Sequence, residues 1–90
     1  MEIYKDDILP YDVETKKDGS YVDPTSIKIT TKVNGATKDN AQDMTKDSTG
    51  KYHYDITFDT AGEWHIYIEM TDSSSRAQTF HDKVYVSESR

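Results

Sequence analysis

KYHYDITFDTAGEWHIYIEMT, residues 51–71, alternates large apolar with polar side chains in two runs separated by one break. From Lys51 to Phe58, Tyr52, Tyr54, Ile56 and Phe58 share one parity, and Lys51, His53, Asp55 and Thr57 the other. From Glu63 to Thr71, Trp64, Ile66, Ile68 and Met70 alternate with Glu63, His65, Tyr67 and Glu69. Successive side chains of a β-strand point to opposite faces, so each run predicts a strand with one face on a core and the other on water. The break, Asp59-Thr60-Ala61-Gly62, supplies turn chemistry, with Gly taking a positive φ that other residues resist. The stretch also contains an echo: DSTGKYHY (47–54) and DTAGEWHI (59–66) share Asp, small residues, Gly, a charge, a large aromatic and His. Two copies at so short a spacing make no solenoid, and the echo reads as one local solution used twice.

Working outward, the same alternation extends in both directions. After the Ser-rich turn Asp72-Ser73-Ser74-Ser75-Arg76, a strand from about Gln78 to Ser87 places Phe80, Val84 and Val86 inward. Asp82 falls on the same inward parity, which predicts either a bulge or a strand end wet enough to hold a carboxylate. Upstream, Ile27, Ile29 and Val33 alternate with Lys28, Thr30 and Lys32 between Asp23-Pro24 and the turn signal Asn34-Gly35. An earlier irregular strand carries Leu9, Tyr11 and Val13 on one parity; Pro10 lacks the donor of a central ladder and so marks an edge. Residues 36–46 are polar, with Met44 as the one apolar anchor, and read as a short strand within a loop.

Ninety residues make one small domain, which buries roughly 60–65% of the surface that its unfolded chain exposes. Only 33% of the residues are apolar and mean hydropathy is −0.90, yet the aromatic and β-branched residues cluster, as folding requires. With no Cys there is neither a disulfide nor a thiolate metal site, so the core has to suffice. A net charge of −6 opposes nucleic acid and anionic membrane as partners. The longest apolar run is Ile66-Tyr67-Ile68, and Lys5, Asp6 and Asp7 stand where a signal peptide needs apolar residues; neither a membrane span nor a leader is expected in this stretch.

Four segments taken together carry a resemblance. They are Val22-Asp23-Pro24-Thr25-Ser26-Ile27; Met44 to Tyr54, with Gly50-Lys51-Tyr52-His53-Tyr54; Gly62-Glu63-Trp64-His65-Ile66; and the close on Phe80 and Val84-Tyr85-Val86. This succession resembles immunoglobulin-like sandwich modules of bacteria, archaea and their viruses, which show a DPTSV-type opening, a G-x-Y-x-Y strand, a G-x-W strand and a final apolar strand. The resemblance spans residues 19–87. It implies an all-β fold, a single immunoglobulin-like β-sandwich domain over residues 1–90, with about seven antiparallel strands. Such modules serve on phage capsids and tails, surface proteins and adhesins, so the resemblance leaves function open. The chain departs from the pattern at its start, where many relatives have Gly-Asp and this sequence has Asp6-Asp7 followed by Pro10. A second resemblance, carried by the Gly-x-Tyr and Gly-x-Trp strands alone, is to small periplasmic sandwich domains associated with copper handling.

The three His residues and the acidic loops are the candidates for chemistry. His53 and His65 occupy equivalent outward positions, but the resemblance places their strands in opposite sheets, where they cannot share a metal. Pairing Met70 with Phe80 and Ile66 with Val84 sets Glu69 opposite His81, Tyr67 opposite Lys83 and His65 opposite Tyr85, and all three His read as solvated strand residues. No metal site is expected. Asp6, Asp7, Asp39, Asp43 and Asp47 offer hard oxygen ligands for Ca²⁺ if they converge, but no Asp-x-Asp-x-Asp-Gly run exists and Asp is an ordinary turn former. Ser73 to Ser75 fall in an expected exposed turn and so small a sandwich leaves little cleft for a nucleophile, and the scattered single Gly residues form no phosphate loop.

These readings converge on a non-catalytic structural, display or attachment module of a larger assembly, a phage virion or a cell-surface protein, with protein partners and no cofactor. Virion or extracellular surface is the expected location. The alternative is a periplasmic metal- or copper-associated module. If the module docks, the expected patch is the outer face of the final hairpin: His65, Tyr67, Lys83 and Tyr85.

Overall fold

A computed structural model describes residues 2–72 and 76–88. In chain order its strands are β1 (Ile3–Tyr4), β2 (Asp7–Glu14), β3 (Lys16–Lys17), β4 (Ser20–Tyr21), β5 (Ser26–Val33), β6 (Ala36–Asp43), β7 (Thr45–Ser48), β8 (Lys51–Phe58), β9 (Gly62–Thr71) and β10 (Ala77–Ser87). The fold is an all-β sandwich. A five-stranded sheet runs β1-β10-β9-β5-β6, a three-stranded sheet runs β2-β8-β7, and β3 and β4 form a small separate hairpin. Every pairing is antiparallel except β1 with β10, which is parallel. Among the described residues the strands number ten instead of the expected seven or so, because three of them are two-residue pieces and residues 36–48 pair more fully than their composition suggested.

The alternation of residues 51–71 is the core-forming device. Inward residues of β8 (Tyr52, Ile56, Phe58) and of β9 (Trp64, Ile66, Ile68) join Ile27, Ile29 and Val33 of β5, Met44 and Val86 in one cluster between the sheets. Trp64 is fully buried; Val33 and Val84 flank it in register on the neighbouring strands, and Phe58 meets it edge-on from the opposite sheet with ring centroids 5.0 Å apart. Its indole N–H donates to Thr60 O at 2.8 Å, which satisfies the one polar atom of an otherwise apolar side chain. Thr31 is also fully buried, and its hydroxyl donates to Asp39 at 2.7 Å.

The sequence echo is resolved by two Gly contacts. Gly50, at φ 73°, donates its N–H to Asp23 Oδ1 at 2.9 Å, and the same carboxylate accepts Lys46 Nζ at 2.7 Å and the Tyr52 hydroxyl at 3.3 Å. The Asp23-Pro24 and Gly50-x-Tyr52 segments therefore meet at one side chain. Gly62, at φ 132°, lies against Asn34, whose amide accepts Glu63 N–H at 3.3 Å and donates to Ala61 O at 3.3 Å. Each copy uses a Gly to begin a strand against a polar side chain two residues before a core aromatic.

Two expectations need correction, and an alternative left open at Asp82 is decided. Residues 36–46 are not mostly loop: they form β6 and the start of β7. β6 is an edge strand, exposed nearly throughout and interrupted by register shifts against β5, so no burial imposed alternation on it. Phe80 faces inward by parity yet is 51% exposed, because the opposite sheet has only three strands and leaves that part of β10 uncovered. Asp82 sits in an unshifted β9–β10 ladder, so the wet alternative holds, and the Tyr11 hydroxyl donates to it at 2.9 Å. Burial first, and that hydrogen bond second, push the Tyr11 phenol up to about 12.

Pro10 lies on the free edge of the three-stranded sheet, as its missing donor requires. Thr15 N–H bonds Gly50 O, so odd-numbered residues of β2 turn their backbone groups toward β8 and even-numbered ones, Pro10 among them, away from it. Of the Ser-rich turn, Ser73, Ser74 and Ser75 lie outside the described residues; at its ends Asp72 N–H donates to Arg76 O at 3.0 Å.

Candidate interaction surface

The outer face of the five-stranded sheet is built by the polar parity of β5, β9 and β10. The β9–β10 register differs from the expected one by two residues: His81 pairs with Tyr67, Lys83 with His65 and Tyr85 with Glu63. A two-residue slip keeps every side chain on its face, so the patch His65, Tyr67, Lys83 and Tyr85 does share one surface, but its neighbours change. Asn34 N–H bonds Glu63 O, which turns odd-numbered β9 residues toward β5. Their pairs with β10 are thus the non-hydrogen-bonded kind, in which side chains approach most closely.

The contacts follow from that register. Tyr67 and His81 stack at 4.7 Å between centroids, with planes 7° apart, and His65 and His81 lie 4.9 Å apart at 15°. His65 Nε2 is 2.5 Å from Glu63 Oε1, and His65 Nδ1 is 2.7 Å from His81 Nε2. Since a carboxylate only accepts, the proton of His65 is assigned to Nε2, its Nδ1 lone pair accepts, and His81 Nε2–H donates. The Tyr85 hydroxyl donates to the other Glu63 oxygen at 3.2 Å. The His65 hydrogen bond, with Tyr85 and the charge of Lys83 adding to it, holds the Glu63 carboxyl below its ordinary value. Lys32 stands over the Tyr67 ring at 5.7 Å, and Lys83 over Tyr85 at 5.6 Å.

His81, Glu63 and Lys32 are the members that sequence reasoning left out of the patch. Only the hairpin register could have found the first two, and the length of the turn decides that register. His53 lies on the other sheet, 2.7 Å from Asp47, and the two echo His residues are separated by the sandwich. The acidic loop residues disperse: Asp43 pairs with Lys28 at 2.8 Å, Asp47 with His53, and Asp39 accepts from Thr31 and from Tyr54. Among the described residues, no group of three or more His, Cys, Asp or Glu is placed to hold a metal ion. Two surface depressions, one beside Ile3, Lys83 and Tyr85 and the other beside Tyr11, Ile68 and Phe80, are open to solvent. The chain matches no family model, no curated protein and no solved structure.

Proposed function

We propose that the protein is a non-catalytic module that docks onto a protein partner within a larger assembly, a virion or a cell surface, through the outer face of β9 and β10. One observation carries this reading. Four aromatic rings, Tyr67, Tyr85, His65 and His81, lie together with Lys32 and Lys83 on one sheet face of a chain whose net charge is −6. Aromatic side chains present large contact area at small entropic cost, and the flanking lysines suit an acidic partner surface. The free edge of β2 is the poorer alternative, since Pro10 interrupts the donors that strand addition needs.

The test is photo-crosslinking in the source organism from a reactive residue at position 67 or 85, with position 12 on the opposite sheet as the control. Recovery of one protein partner from 67 and 85 and not from 12 supports the proposal. Equal recovery from both faces overturns the docking face, and catalytic turnover by the purified chain in a broad substrate screen overturns the non-catalytic reading.

A further inference from the structure

The five-stranded sheet has an open edge along β10. β1 covers that edge only at Val86 and Ser87, so residues 77–85 have no strand on their outer side among the described residues. Even-numbered β10 residues turn their backbone groups toward β9, and the odd-numbered ones, Ala77, Thr79, His81, Lys83 and Tyr85, present theirs at the free edge. We propose that this edge pairs antiparallel with the same edge of a second copy of the chain, about a two-fold axis at Phe80, and joins two molecules through one continuous sheet. The inference does not depend on the docking reading, since it uses the strand edge and the inward parity of β10 and not the outer aromatic face.

The other free edges are poorer acceptors. β2 carries Pro10, β6 has register shifts and a positive φ at Ala41, and β7 has only four residues. β10 contains no Pro and keeps an unshifted ladder with β9. Phe80 supplies the apolar contact: it is 51% exposed and borders an open depression with Tyr11, Val13 and Ile68.

The residues of β10 select both the occupant and the register. An axis at Asp82 would set two carboxylates opposite each other, an axis at His81 would set Phe80 against Asp82, and an axis at Thr79 would shorten the ladder to residues 77–81. An axis at Phe80 places ring against ring, Asp82 opposite Gln78, Lys83 opposite Ala77 and His81 opposite Thr79, with no like charges facing. The two Phe80 residues then form a non-hydrogen-bonded pair, the kind of closest approach, between hydrogen-bonded pairs of Thr79 with His81. Asp82 is satisfied before the strands meet, since it accepts the Tyr11 hydroxyl at 2.9 Å and Lys83 N–H at 2.8 Å. Asp82 and Lys83 also cancel, so this edge carries no net charge in a chain of net charge −6. β10 is therefore self-complementary, as a two-fold interface requires. Because β1 limits the ladder, the interface is small and the dimer weak.

The experiment is sedimentation equilibrium of the full chain from about 10 µM to about 1 mM, with amide hydrogen exchange by NMR at both ends of that range. The expected result is a monomer at the low end and a dimer at the high end, half formed at about 0.1 mM. Protection rises with concentration at the Ala77, Thr79 and His81 amides and not along β6 or β7. Phe80→Lys sets two ammonium groups face to face and weakens association by about tenfold or more, and a thermal midpoint at the low concentration verifies its folding. Gln78→Lys, which then faces Asp82 of the second copy, tightens the dimer, and Gln78→Asp loosens it. A chain that stays monomeric throughout, wild-type association in Phe80→Lys, or protection along β6 or β7 instead of β10 overturns the proposal. Equal association of the two Gln78 variants, or the same split when both substitutions are made at Gln42 on β6, overturns the register.

Discussion

A β-carbon on Gly50 would lie 2.7 Å from Thr15 O and 2.8 Å from Tyr21 Cβ, at a φ of 73° that side chains resist. Gly50→Ala is expected to destabilise by more than about 1 kcal/mol, since the backbone has to shift as well as strain, and the denaturant midpoint measures it. The larger loss belongs to Trp64. Its removal opens a cavity between both sheets and orphans the Thr60 carbonyl, so Trp64→Ala should cost about 3–5 kcal/mol. If the indole of the folded protein emits like free Trp in water, this burial is refuted. Tyr11 makes a prediction in alkali. Its folded pKa is about 12 against 10.0 for the free group, so the native state holds a proton that the unfolded chain has lost. The associated stability is complete below pH 10 and disappears as pH rises toward 12. Tyr11→Phe should therefore flatten the alkaline fall in thermal midpoint across that window and remove a late step from the tyrosinate absorbance titration.

Among the strands, legibility followed burial. β5, β8 and β9 each have one face on the core and one on water, and their alternation is visible in the sequence to within a residue of each end. β6 has no buried face to speak of, so nothing selected its residues by parity, and residues 36–46 read as only a short strand within a loop. The register of β9 with β10 was hidden for a different reason. Slips of two residues preserve the pattern of faces, and periodicity cannot tell them apart. Side-chain geometry separates them sharply, and cysteine pairs test it on a chain that has no other Cys. Glu63→Cys with Tyr85→Cys should close an intramolecular disulfide on oxidation, because they are direct partners in a non-hydrogen-bonded pair. His65→Cys with Tyr85→Cys, the pairing that matching Met70 with Phe80 and Ile66 with Val84 predicts, should not. The reverse outcome would restore the original register and undo the His65–His81 contact with it. The patch itself was half legible: parity gave four of its residues, whereas Glu63 and His81 depend on which residue faces which across the hairpin.

For the molecule as a whole, the two sheets of the sandwich are unequal. Five strands face three, and the uncovered inner surface near the free edge of β2 leaves Phe80 half in water. Phe80→Ser is expected to change stability by no more than about 0.5 kcal/mol while raising solubility, as precipitation by ammonium sulfate would measure. By contrast, the double substitution Tyr67→Ser, Tyr85→Ser removes rings from the opposite, outward surface. Its thermal midpoint should stay within a few degrees of the wild type, since neither ring belongs to the buried core. Unfolding of that variant would move the aromatic face into the stabilising structure and out of any docking role. The parallel pairing of β1 with β10 has a mechanical consequence. Ile3 lies beside Val86 and Tyr4 beside Ser87, Lys5 N–H bonds Ser87 O, and Lys5 reaches Glu88. Opposed forces applied to the two ends draw β1 backward and β10 forward along their common direction, so the bonds between them are sheared together instead of being unzipped one after another. A tensile load is thus met first by this short clasp, and the core behind it stays closed until the clasp gives way.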